Sequence, residues 1–236
     1  MEKKAVCLLS GGLDSCVASF LAKHQGFSCY ALSFDYGQRH TCELESARKI
    51  AKALDAVEHR VFHIDLQQFG GSSLVDHSAD IPTTEIQSIG QTIPSTYVPA
   101  RNTIFLSFAL AFAETRKADA IFIGANALDF SGYPDCRPEY FQAFQHLATL
   151  ATKQTIEGHP ITIHTPLLHL TKKEIIKKGK EVDAPLYLTW SCYKGEQLAC
   201  GTCESCQLRL KGFQEAGLPD PLPYAKYPLW YTQKKK

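Results

Sequence analysis

LLSGGLDSCVA, residues 8–18, leaves the apolar run Ala5-Val6-Cys7-Leu8-Leu9, crosses two glycines and sets Asp14 and Ser15 at the start of a new pattern. Apolar residues at Leu13, Val17, Phe20 and Leu21 recur at helical spacing through 13–25, and 28–34 is again apolar and strand-like. Residues 4–9, 13–25 and 28–34 thus predict strand, helix, strand: a βαβ unit with the glycines at its first turn. Glycines there let backbone N–H groups approach an anion, and the helix N-terminus adds a partial positive charge facing it. Ser10 and Ser15 can donate to the same oxygens. The expected nucleotide-binding stretch is therefore Leu8, Leu9, Ser10, Gly11, Gly12, Leu13, Asp14, Ser15, Cys16, Val17 and Ala18.

Outward from that unit the alternation continues. Residues 43–54 carry Leu44, Ala47, Ile50, Ala51 and Leu54 at helical spacing, and Glu58 to Ile64 reads as a third strand. The implied fold class is α/β, a Rossmann-like doubly wound parallel sheet. Residues 66–98, with Gly70-Gly71-Ser72-Ser73, Pro82 and Pro94, break the rhythm and predict a long functional loop or lid. Regular structure returns with a helix over 101–116, a strand over 118–124, a helix over 138–153, a strand over 159–164, and a helix opened by Thr171 with Glu174 three positions later. From Leu186 the chain is Cys-rich, then Pro-rich. The expected organisation is a nucleotide-binding and substrate domain over 1–185 and a C-terminal extension over 186–236 packed on it.

A chain of 236 residues, 44% hydrophobic and 21% charged, has the composition of an ordinary globular protein with one large core. Its formal net charge of +1 offers no broad basic surplus for a polyanion, which favours small-molecule substrates over direct nucleic-acid binding. The terminal Lys234-Lys235-Lys236 reads as a solvated end. No apolar run approaches membrane-spanning length and the N-terminus lacks a signal-peptide pattern, so a cytoplasmic protein is expected.

In that compartment the nine cysteines read as metal ligands, buried thiols or nucleophiles. Cys192, Cys200, Cys203 and Cys206 form C-x7-C-x2-C-x2-C, which predicts a closed, structural Zn²⁺ site. An iron–sulfur cluster, or a redox-active C-x2-C pair, shares such spacings. Cys7, Cys16, Cys29 and Cys42 fall in elements where small buried thiols are the default. Cys136 stands in a polar loop with no base partner visible in the sequence.

Three polar stretches fall at strand ends or helix starts, where open α/β sheets place ligands: FDYGQRH (34–40), YVPARNT (97–103) and GANALDFSGYPDCRPEYF (124–141). In the last, Asp129, Tyr133, Asp135 and Arg137 are the expected substrate-binding residues. An acid can accept from a 2-amino-pyrimidinone edge, a ring can stack on a flat base, and Arg can grip a carboxylate bidentately, as a purine-like acid would require.

Ser10 to Ser15 is neither of the commonest Gly-rich phosphate loops; it resembles S-G-G-x-D-S, the pyrophosphate loop of the ATP pyrophosphatase (PP-loop) superfamily, with its adenine nucleotide alpha hydrolase-like fold. The resemblance implies ATP cleaved at the α-phosphate, AMP transferred to a carboxylate or carbonyl oxygen, and pyrophosphate released. Asp14 is then an expected Mg²⁺ partner, directly or through water. Together SGGLDS, FDYGQRH, VPARN, GANALDFSGYPDCRPEY, TWSCY and the four-cysteine arrangement resemble the 7-cyano-7-deazaguanine synthases, the queuosine-pathway enzymes, from about Val6 to Cys206.

That family implies conversion of 7-carboxy-7-deazaguanine and ammonia to the nitrile through an adenylated carboxylate and an amide. The resemblance implies ATP, Mg²⁺ and one structural Zn²⁺ per chain, and, by analogy only, a homodimer. Ser10, Asp14, Ser15 and Arg101 are the expected catalytic residues. Arg39 is as easily a structural ion pair, and His40 is left outside the catalytic set. A tRNA-thiolating or lysidine-forming relative would need a basic surface. An NAD- or GMP-type amidating synthetase would lack the four-cysteine clip, and a zinc-clipped nucleotide sensor would bind ATP without turnover.

Overall fold

The computed structural model describes residues 2–38, 42–83, 86, 89, 92–128, 133–194 and 197–232. Five strands, β1 (Lys4–Leu8), β2 (Ser28–Asp35), β3 (Glu58–His63), β4 (Ala120–Phe122) and β5 (Thr162–His164), form one sheet in the order β3-β2-β1-β4-β5. Every pairing is parallel. The expected doubly wound α/β sheet is present. The order reverses direction at β1, which pairs with β2 on one side and β4 on the other, and a crevice opens beyond the carboxyl ends of such strands.

Seven helices connect and cover the strands: α1 (Leu13–His24), α2 (Cys42–Ala53), α3 (Arg101–Arg116), α4 (Pro138–Ala151), α5 (Lys153–Ile156), α6 (Lys172–Glu181) and α7 (Glu204–Ala216). Alternate residues of β1 enter opposite cores, as a strand period of two requires. Val6 and Leu8 pack with Leu106, Leu110 and Ala113 of α3 and Phe141 and Phe144 of α4. Ala5, Cys7 and Leu9 pack with Val17 and Leu21 of α1, Ile50 of α2 and Ile175 of α6. Burial on both faces explains why β1 reads as an unbroken apolar run.

Two elements differ from the sequence-based expectation. The helix foreseen over 138–153 breaks at Thr152, whose side chain caps α5 by accepting from Thr155 N. The segment after Cys203, expected only as part of a C-terminal extension with no helix assigned, is the 13-residue helix α7, ended by Gly217 in the left-handed conformation. Its Phe213 sits in one core and its Leu210 in the other. The stretch 66–98 includes a 3₁₀ turn at Gln67–Phe69 and is anchored by Leu66, Leu74, Val75, Ile81 and Val98, all buried.

Helix α6 starts in the expected capping box: Thr171 Oγ1 accepts from Glu174 N at 3.3 Å and Glu174 Oε2 accepts from Thr171 N at 2.8 Å. Thr171→Ala is expected to cost about 1 kcal/mol. Thermal denaturation should show a midpoint lower by about 2–4 °C.

Candidate active site

Gly11 has φ +96°, and a Cβ there would lie 2.0 Å from Glu43 O, so glycine is required both for its backbone angle and for space. The turn after β1 is thereby wedged against the first turn of α2. Ser10 N donates to Ser15 Oγ (3.2 Å), Gly12 N donates to Ser10 Oγ (3.2 Å), and the two hydroxyls are 3.0 Å apart. The hydroxyls thus hold the loop's N–H groups in a concave array, the arrangement that receives phosphate oxygens. Gly11→Ala should weaken ATP binding at least about 10-fold, or 1.4 kcal/mol, in a calorimetric titration.

The loop forms one wall of a cavity of about 240 Å³. Five helices begin at this cavity, contributing Leu13, Asp14 and Ser15 of α1, Glu43 of α2, Arg101 and Asn102 of α3, Lys172 of α6 and Ser205 of α7. Helix N-termini favour negative charge, so the cavity is biased toward an anionic ligand.

Lys172, which sequence reasoning missed, donates to both oxygens of Asp14 at 2.8 and 2.7 Å, with both side chains largely buried. It is the first residue of α6, where the helix dipole disfavours a cation, and the Asp14 carboxylate offsets that cost. Gly212 of α7 makes room for it: a Cβ there would lie 2.4 Å from Lys172 Cγ.

VPARN acquires a physical role. Ala100 lies in the left-handed region at φ +52°, a strained angle for a residue with a Cβ, and turns the chain directly into α3. Arg101, next in sequence, faces the cavity, and its guanidinium makes one long hydrogen bond among the described residues, to Tyr36 Oη at 3.4 Å, lying 5.9 Å from the Tyr36 ring centroid. A guanidinium carries five N–H donors, and this one faces the space a ligand would fill. Asn102 is held by Asp135 and Cys136: Asn102 N donates to Asp135 Oδ2 and Asn102 Nδ2 to Asp135 O, each at 3.0 Å.

The expected substrate residues scatter. Tyr133 lines the cavity, its hydroxyl 3.2 Å from Thr96 Oγ1. Asp135 is buried behind the wall, caps α3, and leaves Oδ1 without a hydrogen-bond partner. Arg137 is exposed at the start of α4 and does not line the cavity. Asp129 lies outside the described residues, as do Arg39, His40 and Lys234 to Lys236. Cys136 lines the cavity, but burial and the neighbouring Asp135 push its thiol up to about 12, which suits no nucleophile.

The four Sγ atoms of Cys192, Cys200, Cys203 and Cys206 lie within 4.8 Å of one another. Tetrahedral zinc at about 2.3 Å from each sulfur needs edges of about 3.8 Å, and Cys200 to Cys206 is 3.9 Å. Cys200 Sγ also accepts from Thr202 N (3.4 Å) and Cys203 N (3.3 Å), which favours a thiolate. The donor set fits a zinc ion. Four sulfurs without a cation cannot all ionise: their mutual contacts hold Cys200 low and drive Cys203 and Cys206 up.

TWSCY joins this cluster to the phosphate loop. Trp190 N donates to Gly11 O at 2.9 Å, and Trp190 Nε1 to Cys192 O at 3.2 Å. Arg209 of α7, buried, donates to Thr189 Oγ1 (2.7 Å) and Ser191 Oγ (3.2 Å) and pairs with buried Asp220 (2.9 Å). Its five donors tie α7, the 189–191 wall and the C-terminal stretch together.

A glycine–serine phosphate loop on the β1–α1 turn, at the point where a parallel sheet reverses its strand order, defines a PP-loop nucleotide-using enzyme. Residues 4–217 match the family described as queuosine biosynthesis protein QueC, and the chain belongs to that family. It is similar to the 7-cyano-7-deazaguanine synthase of Desulfatibacillum aliphaticivorans, 59% identical over 94% of this chain and 97% of the relative. That of Geotalea uraniireducens is 58% identical over 96% of this chain and 99% of the relative. Among solved structures, an NMN synthetase from Francisella tularensis superposes with a TM-score of 0.48 at 18% identity, over 92% of this chain and 78% of the other. No helix among the described residues is long and apolar enough to cross a membrane.

Proposed function

We propose that the chain is an ATP-dependent carbon–nitrogen ligase that converts 7-carboxy-7-deazaguanine and ammonia to 7-cyano-7-deazaguanine. The observation that carries this reading is the meeting, in one cavity, of the phosphate loop and the Arg101 guanidinium. A carboxylate cannot expel oxide, so its oxygen must first be made into a good leaving group. With ATP seated so that Ser10, Gly11, Gly12 and Ser15 hold the phosphates, Arg101 steadies the substrate carboxylate and the charge that develops at the α-phosphate. The carboxylate oxygen attacks that phosphorus, pyrophosphate leaves, and ammonia displaces AMP to give the amide. A second round activates the amide oxygen, and loss of AMP and a proton leaves the nitrile.

Asp14 is the Mg²⁺ partner in this reading, with Lys172 neutralising it in the structure described; Mg²⁺ supplies charge neutralisation for the triphosphate. Tyr133 and Asp129 are the substrate-binding residues of this reading. Asp135 and Arg137 enter as positioning residues, because neither lines the cavity. The four cysteines hold one structural zinc. The reading extends to a cytoplasmic enzyme without direct nucleic-acid contact, supported by the +1 net charge, and by family analogy to a homodimer. It keeps the division into 1–185 and a zinc-clipped 186–236.

Substrate labelled with ¹⁸O in its carboxylate tests the chemistry. The label should appear in AMP. Label in inorganic phosphate would mean attack at the γ-phosphate and would overturn the assignment of the loop.

A further inference from the structure

Two acids line the cavity, Asp14 and Glu43. Lys172 grips both oxygens of the first. The Glu43 carboxylate makes no hydrogen bond or ion pair among the described residues. Nor is its position slack: Glu43 O is the atom against which Gly11 is wedged, and on the same helix Leu44 is buried and Ala47 is buried in a core. The carboxylate is therefore held beside the loop that receives the phosphates. Around it stand Arg101, Tyr36 and Cys192, which also line the cavity, and Arg101 attracts it without coming within ion-pair distance. Among the described residues, no cation comes within ion-pair distance of this carboxylate.

The proposed reaction brings one. At neutral pH ammonia is almost wholly ammonium, a compact cation that must be captured and must lose a proton before it can attack. Resting on the function proposed above, we infer that Glu43 binds ammonium and takes its proton in the amidation step. Ammonium gives one proton to the Glu43 carboxylate. The freed nitrogen lone pair forms the C–N bond at the acyl carbon, the C–O bond to AMP breaks with its electron pair leaving on the phosphate oxygen, and the second proton passes from nitrogen to solvent. Arg101 and Glu43 then divide the labour by charge: the guanidinium holds the acid, the carboxylate holds the nucleophile.

The two-round scheme supplies the test, because only the first round uses ammonium. Glu43→Gln should lower kcat/KM for ammonium about 100-fold, chiefly through KM, in a purified enzyme given acid, ATP and ammonium at pH 7. The same variant supplied with the amide and ATP should form nitrile within about 3-fold of the unsubstituted rate. Hydroxylamine, mostly neutral at pH 7, should lose far less than ammonium does. Glu43→Asp, which keeps the charge but withdraws it by one methylene, should fall between. Equal losses from acid and from amide, or an unchanged ammonium KM in both variants, overturns the assignment. An unsubstituted enzyme that converts neither acid nor amide would instead overturn the proposed function.

Discussion

Arg101→Ala is expected to lower kcat/KM for the carboxylate substrate about 10³-fold while the protein stays folded, since removing a preorganised donor from developing charge costs this much. Among the described residues its side chain makes one hydrogen bond, 3.4 Å long, to a Tyr36 hydroxyl that itself lies at the cavity. Folding energy therefore has little to lose, and transition-state binding has much. Arg101→Lys should recover only part of the activity, because an ammonium cannot present two parallel donors to a carboxylate. A further consequence concerns Glu43. Without Arg101 the attraction that lowers its carboxyl is lost, so that group should rise and the activity that remains should need higher pH. Steady-state kinetics between pH 6 and 9, with a thermal midpoint for each variant, checks all three. A thermal midpoint that falls as steeply as the activity would make Arg101 a structural residue.

Loss of the metal is expected to act at two places. Stripping it with a chelator, or Cys203→Ser, should cost several kcal/mol, because the thiolate set is left with uncompensated charge and α7 loses the anchor at its N-terminus. A midpoint lower by roughly 10 °C would follow for a chain of this size. The second effect is at the nucleotide. Cys192 follows Trp190 by two residues, and the Trp190 N–H holds Gly11 O. Freeing Cys192 should therefore loosen the phosphate loop and weaken ATP binding even at temperatures where the chain is folded. Calorimetry on stripped and zinc-restored protein separates the two. An ATP affinity indifferent to the metal would break the proposed link through residues 189–193.

Much of the fold was legible because its signals are local. The β1 run, the glycines and the helical spacing after Leu13 lie within a few turns of one another, and the Thr171–Glu174 box can be read from two residues. Helix α7 was hidden by its cysteines: Cys203 and Cys206 have ligand spacing, and the eye assigns ligands to loops. Its helical signals, Leu208, Leu210 and Phe213 before Gly217, were present but overlooked. The site divides in the same way. The phosphate loop and the cysteine set are contiguous patterns, whereas the Lys172–Asp14 contact spans 158 positions and needs the sheet to bring α6 to α1. Lys172 left one clue, a cation at the first position of a capped helix. Glu43 left none, since an acid on a helix's first turn is commonplace. Asp135 misled for the opposite reason: a loop acid near aromatics reads as a ligand contact, and in the fold it caps α3.

Mass spectrometry of one reaction tests the central claim most directly. Zinc-replete protein would be incubated with ATP, Mg²⁺, ammonium and 7-carboxy-7-deazaguanine, and the acid, amide, nitrile and nucleotides followed together. The account predicts an amide that rises and falls ahead of the nitrile, with two AMP formed per nitrile. Persistence of the acid while another carboxylate or a tRNA drives pyrophosphate release would contradict it, leaving the phosphate loop correctly read and the substrate wrong.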